Sequence, residues 1–236
     1  MAVKFIEYGG FEYRLSYDLC NPSQKKALLF LHGWGSNKEV MKQAFSGVFN
    51  RYAHIYLDMP GFGTSNHGGA LYTSDYANIV SKFVNEFDVD LEGVFGHSFG
   101  GKVATLLHPK KLILLSSAGI VEKKPLRVKM KIALFKLLKP LGIAKFRKLF
   151  VSADAKQMDA QMYQTFKNVV DEDFSEHFKN FDNEAIIFWG KADKATSLQS
   201  GQKIAKLIQN ATFYPLEGEH YFFLNAAKKI ESLTFL

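Results

Sequence analysis

The chain has 236 residues, 47% of them hydrophobic and 22% charged, with 30 Lys and Arg against 23 Asp and Glu, a formal charge of +7. These values exclude a disordered or fibrous chain and suit one domain-sized unit with room for one insertion. The longest apolar runs, such as 27–31, are far shorter than the roughly 20 residues a membrane span needs, so the expectation is a soluble protein.

The opening decapeptide lacks the apolar stretch of a secretory leader. The single cysteine, Cys20, can form neither an internal disulfide nor a cysteine metal site. Both features suit a reducing cytoplasm, and Cys20 itself reads as a packing residue near the first hairpin. The positive charge is local: ten Lys or Arg and no Asp or Glu fall between 123 and 150. Subtracting those ten from +7 leaves the rest of the chain at −3, which argues against a nucleic-acid binder.

In chain order, apolar runs at 3–8 and 11–17 flank Gly9-Gly10 and predict a β-hairpin. Further strands are predicted at 27–31, 54–57, 91–95 and 111–115, with a helix at about 102–107. From about 120 to 180 no strand pattern remains. Leu126, Met130, Leu134, Leu137, Leu138 and Leu141 recur at helical spacing, broken by Pro140 and Gly142. Strands resume at 185–189 and 212–215, separated by a helix at about 198–208 and followed by one at about 225–233. The pattern predicts an α/β fold, a mostly parallel sheet flanked by helices, with its core at 1–119 and 181–236 and a helical lid inserted at 120–180.

Gly96-His97-Ser98-Phe99-Gly100 fits the Gly-x-Ser-x-Gly elbow, and it stands between an apolar strand and a helix, as that motif requires. A serine hydroxyl needs a base to take its proton and an acid to orient the base. His220 follows the last predicted strand and Asp193 the strand before it, so Ser98, Asp193 and His220 come in the order, and at the sheet edge, that the elbow architecture demands. Glu122, after the strand that follows the serine, is the rival acid. The oxyanion donors are expected to be the backbone N–H groups of Phe99 and of Trp34, the latter in the loop His32-Gly33-Trp34-Gly35. His32 reads as loop support, and His97 as turned away from the serine. His54, His67, His108 and His177 read as surface or packing residues.

These residues resemble the α/β-hydrolase superfamily over nearly the whole chain: His32-Gly33-Trp34-Gly35, Asp58-Met59-Pro60-Gly61-Phe62-Gly63-Thr64-Ser65, the Ser98 elbow, Trp189-Gly190-Lys191-Ala192-Asp193 and Glu219-His220. Within it, the first two segments look like the carboxylesterases that demethylate pimeloyl–acyl-carrier-protein methyl ester. The departures are His97 before the nucleophile and Glu219 before the histidine. That resemblance implies an ester or thioester substrate, no metal or organic cofactor, and a basic lid at 123–150 that engages an acidic carrier protein. A solvated lysine-rich face and adsorption to anionic lipid are the other readings of that run. Trp34, Phe99, Phe135, Phe146, Tyr221 and Phe222 are the candidates for lining an apolar acyl pocket, with Phe223 beside them. The C–C bond hydrolases of dienoate ring-cleavage products are a second relative, although Trp34, His97 and Tyr221 replace that group's glycine-rich turn, Asn and Trp. Ser98 argues against the dehalogenases and epoxide hydrolases, which use an aspartate nucleophile. A non-catalytic binding protein on the same fold is the alternative from another class.

Overall fold

The computed structural model describes residues 2–121 and 159–234. Its sheet is built by β1 (Ala2–Tyr8), β2 (Phe11–Cys20), β3 (Lys26–Leu31), β4 (Ala53–Leu57), β5 (Asp90–His97), β6 (Lys111–Leu115), β7 (Glu184–Gly190) and β8 (Ala211–Leu216). They lie in the order β1-β2-β4-β3-β5-β6-β7-β8. β1 pairs antiparallel with β2, and β2 antiparallel with β4; every other pairing is parallel. The carboxyl ends of β3 through β8 therefore share one edge. Sequence order reverses at β3, which lies between β4 and β5, and that is where open α/β sheets form a ligand crevice.

Helices cover both faces: α1 (Lys38–Phe45), α2 (Thr73–Asn85), α3 (Phe99–Leu106), α4 (Ala160–Val169), α5 (Ser175–Lys179), α6 (Leu198–Leu207) and α7 (Phe223–Thr234). The buried strands are continuous apolar runs because both faces are covered. In β3, Ala27, Leu29 and Leu31 face the layer that includes α2, α3 and α6, whereas Leu28 and Phe30 face α1 and α7. On the second face the Phe30 ring stacks on both Tyr56 and Phe95, its partners in β4 and β5, with each centroid pair 4.7 Å apart.

The apolar pattern does not mark α1 or α2. Asn37 caps α1 by accepting the Glu39 amide, and Asp75 reaches back to the Tyr72 amide at the start of α2. β2 runs three residues past its predicted end, because its last residues pair with β4. α4 and α5 fall in the stretch read as helical. Glu122, the basic run at 123–150, Phe135 and Phe146 lie outside the described residues. Among the described residues no helix is long and apolar enough to cross a membrane.

Candidate active site

Ser98 sits between β5 and α3 with φ +50° and ψ −115°, a strained conformation for a residue bearing a Cβ. Three backbone bonds hold it there: the Ser98 amide donates to Leu115 O, and the Ser98 carbonyl accepts from Gly101 N and Ala118 N, at 3.0–3.1 Å. The flanking glycines are required by close approach. A Cβ on Gly96 would stand 2.5 Å from Gly100 O, and one on Gly100 would stand 2.5 Å from His32 O. The elbow is thereby pressed against the loop that carries Trp34. The Phe99 amide opens α3, where first-turn N–H groups have no acceptor within the helix.

Asp193 follows β7 and His220 follows β8. The Asp193 Oδ2 to His220 Nδ1 distance is 2.8 Å, with the carboxylate fully buried and the imidazole partly so. The other carboxylate oxygen accepts the Ala195 and Thr196 amides at 2.8 and 3.0 Å, and Thr196 Oγ1 donates to Oδ2. Burial by itself would raise the Asp193 carboxyl. Hydrogen bonds from His220, the Thr196 amide and the Ser116 hydroxyl outweigh it and hold the group far below the usual carboxylate range. Gly190 lets the two loops meet, since a Cβ there would lie 2.4 Å from Glu219 O. The structure thus brings Asp193 and His220 together, while no hydrogen bond joins His220 to Ser98 among the described residues. Contacts of that kind commonly tighten only when substrate binds.

Two more histidines brace the site. His32 is fully buried; its Nδ1 lies 2.8 Å from Gly33 O, and its Nε2 accepts the Met59 amide at 3.1 Å. It ties the Trp34 loop to the loop after β4. The His97 ring turns to the His220 side of the elbow, with its Nε2 3.1 Å from His220 O and its centroid 4.6 Å from that of His220. Burial lowers His32 to about 4 and, together with the neighbouring His220, carries His97 well below its ordinary value. Burial thus favours the neutral form of both rings. Below about pH 6.5, and down to about 4 at His32, the unfolded chain binds protons at these positions that the folded chain does not. The stability they contribute is complete above about pH 6.5 and is lost as pH falls below it. Urea midpoints measured from neutral pH down to about 4.5 will fall accordingly. A flat profile would show that both rings charge without cost.

Ser98, Trp34 and Phe99 line a cavity of about 320 Å³, with Phe166, Val169 and Ile120 on its apolar side. The Trp34 ring is set edge-on to Phe62 and Phe99. Other candidates for the pocket lie elsewhere. Phe222 and Phe223 are buried in the core between the sheet and α1 and α7, because α7 turns its apolar face to the sheet. Tyr221 is exposed, its ring 4.8 Å from that of His97, and it does not line the cavity. His54 is buried between Tyr56 Oη and Phe49 O, whereas His67, His108 and His177 retain solvent exposure. Sequence reasoning missed Ser116 and Thr196 around Asp193. The Asp-x-x-Thr spacing of a side-chain turn was the available signal for Thr196. Among the described residues no group of His, Cys, Asp or Glu is arranged to hold a metal ion.

Residues 28–230 match the profile of the alpha/beta hydrolase family. The pimeloyl-[acyl-carrier protein] methyl ester esterase of Pectobacterium carotovorum subsp. carotovorum (strain PC1) is 37% identical over 78 residues, 33% of this chain and 29% of that protein. A hydrolase from Pseudomonas aeruginosa PA01 superposes with a TM-score of 0.75 at 16% identity, covering 98% of this chain and 96% of that one. An esterase from Exiguobacterium antarcticum does so with a TM-score of 0.72 at 18% identity, covering 97% and 96%. At those identities the likeness is one of fold. The profile match spans most of the sequence, and the chain belongs to the alpha/beta hydrolase family.

Proposed function

We propose that this hydrolase cleaves a carboxylic ester or thioester through an acyl-enzyme on Ser98. The observation that carries the reading is the 2.8 Å contact from buried Asp193 to His220, on the same sheet edge as the strained Ser98 elbow. Asp193 holds the proton of His220 on Nδ1 and leaves the Nε2 lone pair to accept the Ser98 proton. Ser98 Oγ then attacks the carbonyl carbon, and the amides of Phe99 and Trp34 stabilise the resulting oxyanion. His220 passes its proton to the departing alkoxide or thiolate. It next takes a proton from water, whose oxygen attacks the acyl carbonyl; collapse releases the acid and returns the proton to Ser98. No step calls for a metal or an organic cofactor.

We further propose that the acyl group arrives on an acidic carrier protein. The ten positive charges at 123–150 support this, as does the name of the Pectobacterium relative. Complementary charge of that kind chiefly raises the association rate.

The test is turnover of p-nitrophenyl esters of graded acyl length, with a fluorophosphonate probe in parallel. A burst of nitrophenol, followed by slower turnover, and probe attachment at Ser98 are the expected results. A protein that neither turns over these esters nor takes the probe would be a binding protein on a hydrolase fold.

A further inference from the structure

The cavity beside Ser98 is not the apolar slot that a plain fatty acyl chain would fit. Lys102 lies one helical turn beyond the nucleophile on α3 and is 1% exposed, yet it lines the cavity together with Glu172. Lys102 Nζ is 2.7 Å from Glu172 Oε2 and donates to Val169 O at 2.7 Å, while its charge sits over the Phe174 ring. Thr73 Oγ1 also donates to Glu172 Oε2. Both contacts to Glu172 use the same carboxylate oxygen. The other, Oε1, has no hydrogen-bond partner among the described residues, and the Glu172 side chain is 30% exposed. The nearby hydroxyls of Ser117 and Thr196 are already committed, to Ala118 O and to Asp193 and Ser116 O respectively.

His220 does not line this cavity. In the proposed reaction His220 protonates the leaving group, which therefore departs on the His220 side, and the cavity receives the acyl portion. Resting on that reading, we infer that Lys102 and Glu172 form a polar end to the acyl pocket and select an acyl chain bearing a hydrogen-bond donor, a hydroxyl or an amide N–H, over a plain hydrocarbon. A hydrocarbon chain would strip water from Glu172 Oε1 and return nothing, and a site built around a polar partner discriminates strongly against the analogue that lacks it. A chain ending in a carboxylate would meet the same oxygen and be repelled, because the Lys102 charge is already paired.

The experiment compares kcat/KM for methyl alkanoates of graded length with their ω-hydroxy and ω-carboxy counterparts. In wild type the ω-hydroxy ester is expected to exceed its plain counterpart by about tenfold or more over one window of lengths, and the ω-carboxy ester to fall below both. Lys102→Met combined with Glu172→Leu replaces the pair with apolar side chains of similar size, a change that buried ion pairs often tolerate. The double variant is expected to reverse the order in favour of the plain ester. Should it fail to fold, Glu172→Gln decides the matter: its amide oxygen stays on the Lys102 and Thr73 donors, and its NH₂ group, a donor, takes the place of Oε1 with the negative charge removed, so the carboxylate penalty is lost and the ω-carboxy ester rises to or above the ω-hydroxy one. Equal values for the three ester types in wild type, or an unchanged order in these variants, would overturn the inference. Failure of the function reading looks different: no ester of any type is turned over and Ser98 takes no phosphonate.

Discussion

Replacing Ser98 with Ala is expected to lower kcat by about 10⁶-fold with little change in KM, and His220→Ala to cost about as much. In the proposed mechanism the two act as one unit, since the serine attacks only when the imidazole takes its proton. The double variant should therefore be no slower than either single one. That non-additivity distinguishes a coupled nucleophile and base from two residues that merely shape the pocket, whose losses would multiply. Residual turnover of roughly 10³ over water should persist, carried by the Phe99 and Trp34 amides and by binding alone. The Ser98 backbone bonds to Leu115, Gly101 and Ala118 do not involve the side chain, so the elbow will keep its shape in the Ala variant. Single-turnover kinetics, with the thermal midpoint as a control for folding, measure all of this. Activity retained within tenfold in Ser98→Ala would remove the acyl-enzyme mechanism.

Much of the sheet was legible because parallel strands buried on both faces must be apolar throughout, and β3, β6 and β7 stand out as such runs. α1 was not, because Lys38, Met41, Ala44 and Phe45 carry its buried face and a lysine breaks the apolar stripe. That lysine is buried against Asp58, Nζ to Oδ2 at 2.8 Å, a contact across the fold that no local pattern announces. α2 hides its start for a related reason: its N-cap position is Tyr72, so the usual Ser, Thr, Asp or Asn signal is missing.

The same division holds at the site. The placement of Ser98, Asp193 and His220 on one edge was legible because each follows the carboxyl end of a recognisable strand, and parallel pairing carries all three ends together. Phe222 misled because Tyr221, Phe222 and Phe223 are all aromatic, and sequence does not say which of them the turn into α7 buries in the core. Lys102 and Glu172 are 70 positions apart and come together only through the packing of α3 against the segment joining α4 to α5. An expectation of a purely apolar pocket follows naturally from the sequence, and the Lys102–Glu172 pair is what revises it.

Asp193→Asn should lower kcat by about 10⁴-fold while leaving the protein folded. The substituted amide can keep its oxygen toward the Ala195 and Thr196 amides, where Asp193 Oδ1 now accepts two hydrogen bonds. Its NH₂ group then faces His220 Nδ1, donor against donor, unless the imidazole moves its proton to Nε2. In that tautomer Nε2 no longer has a lone pair for the Ser98 proton, and no negative charge remains beside the imidazolium that forms during attack. Phosphonate labelling of Ser98 should slow along with turnover, because it needs the same proton transfer. Asp193→Ala removes the carboxylate altogether and leaves those amides and His220 without their acceptor, so it should also destabilise the fold, by about 1–3 kcal/mol. The contrast between the two variants separates the carboxylate's electrostatic role from its structural one. If Asp193→Asn stayed within tenfold of wild type, the acid would have to be sought elsewhere, and Glu122 would be the residue to replace next.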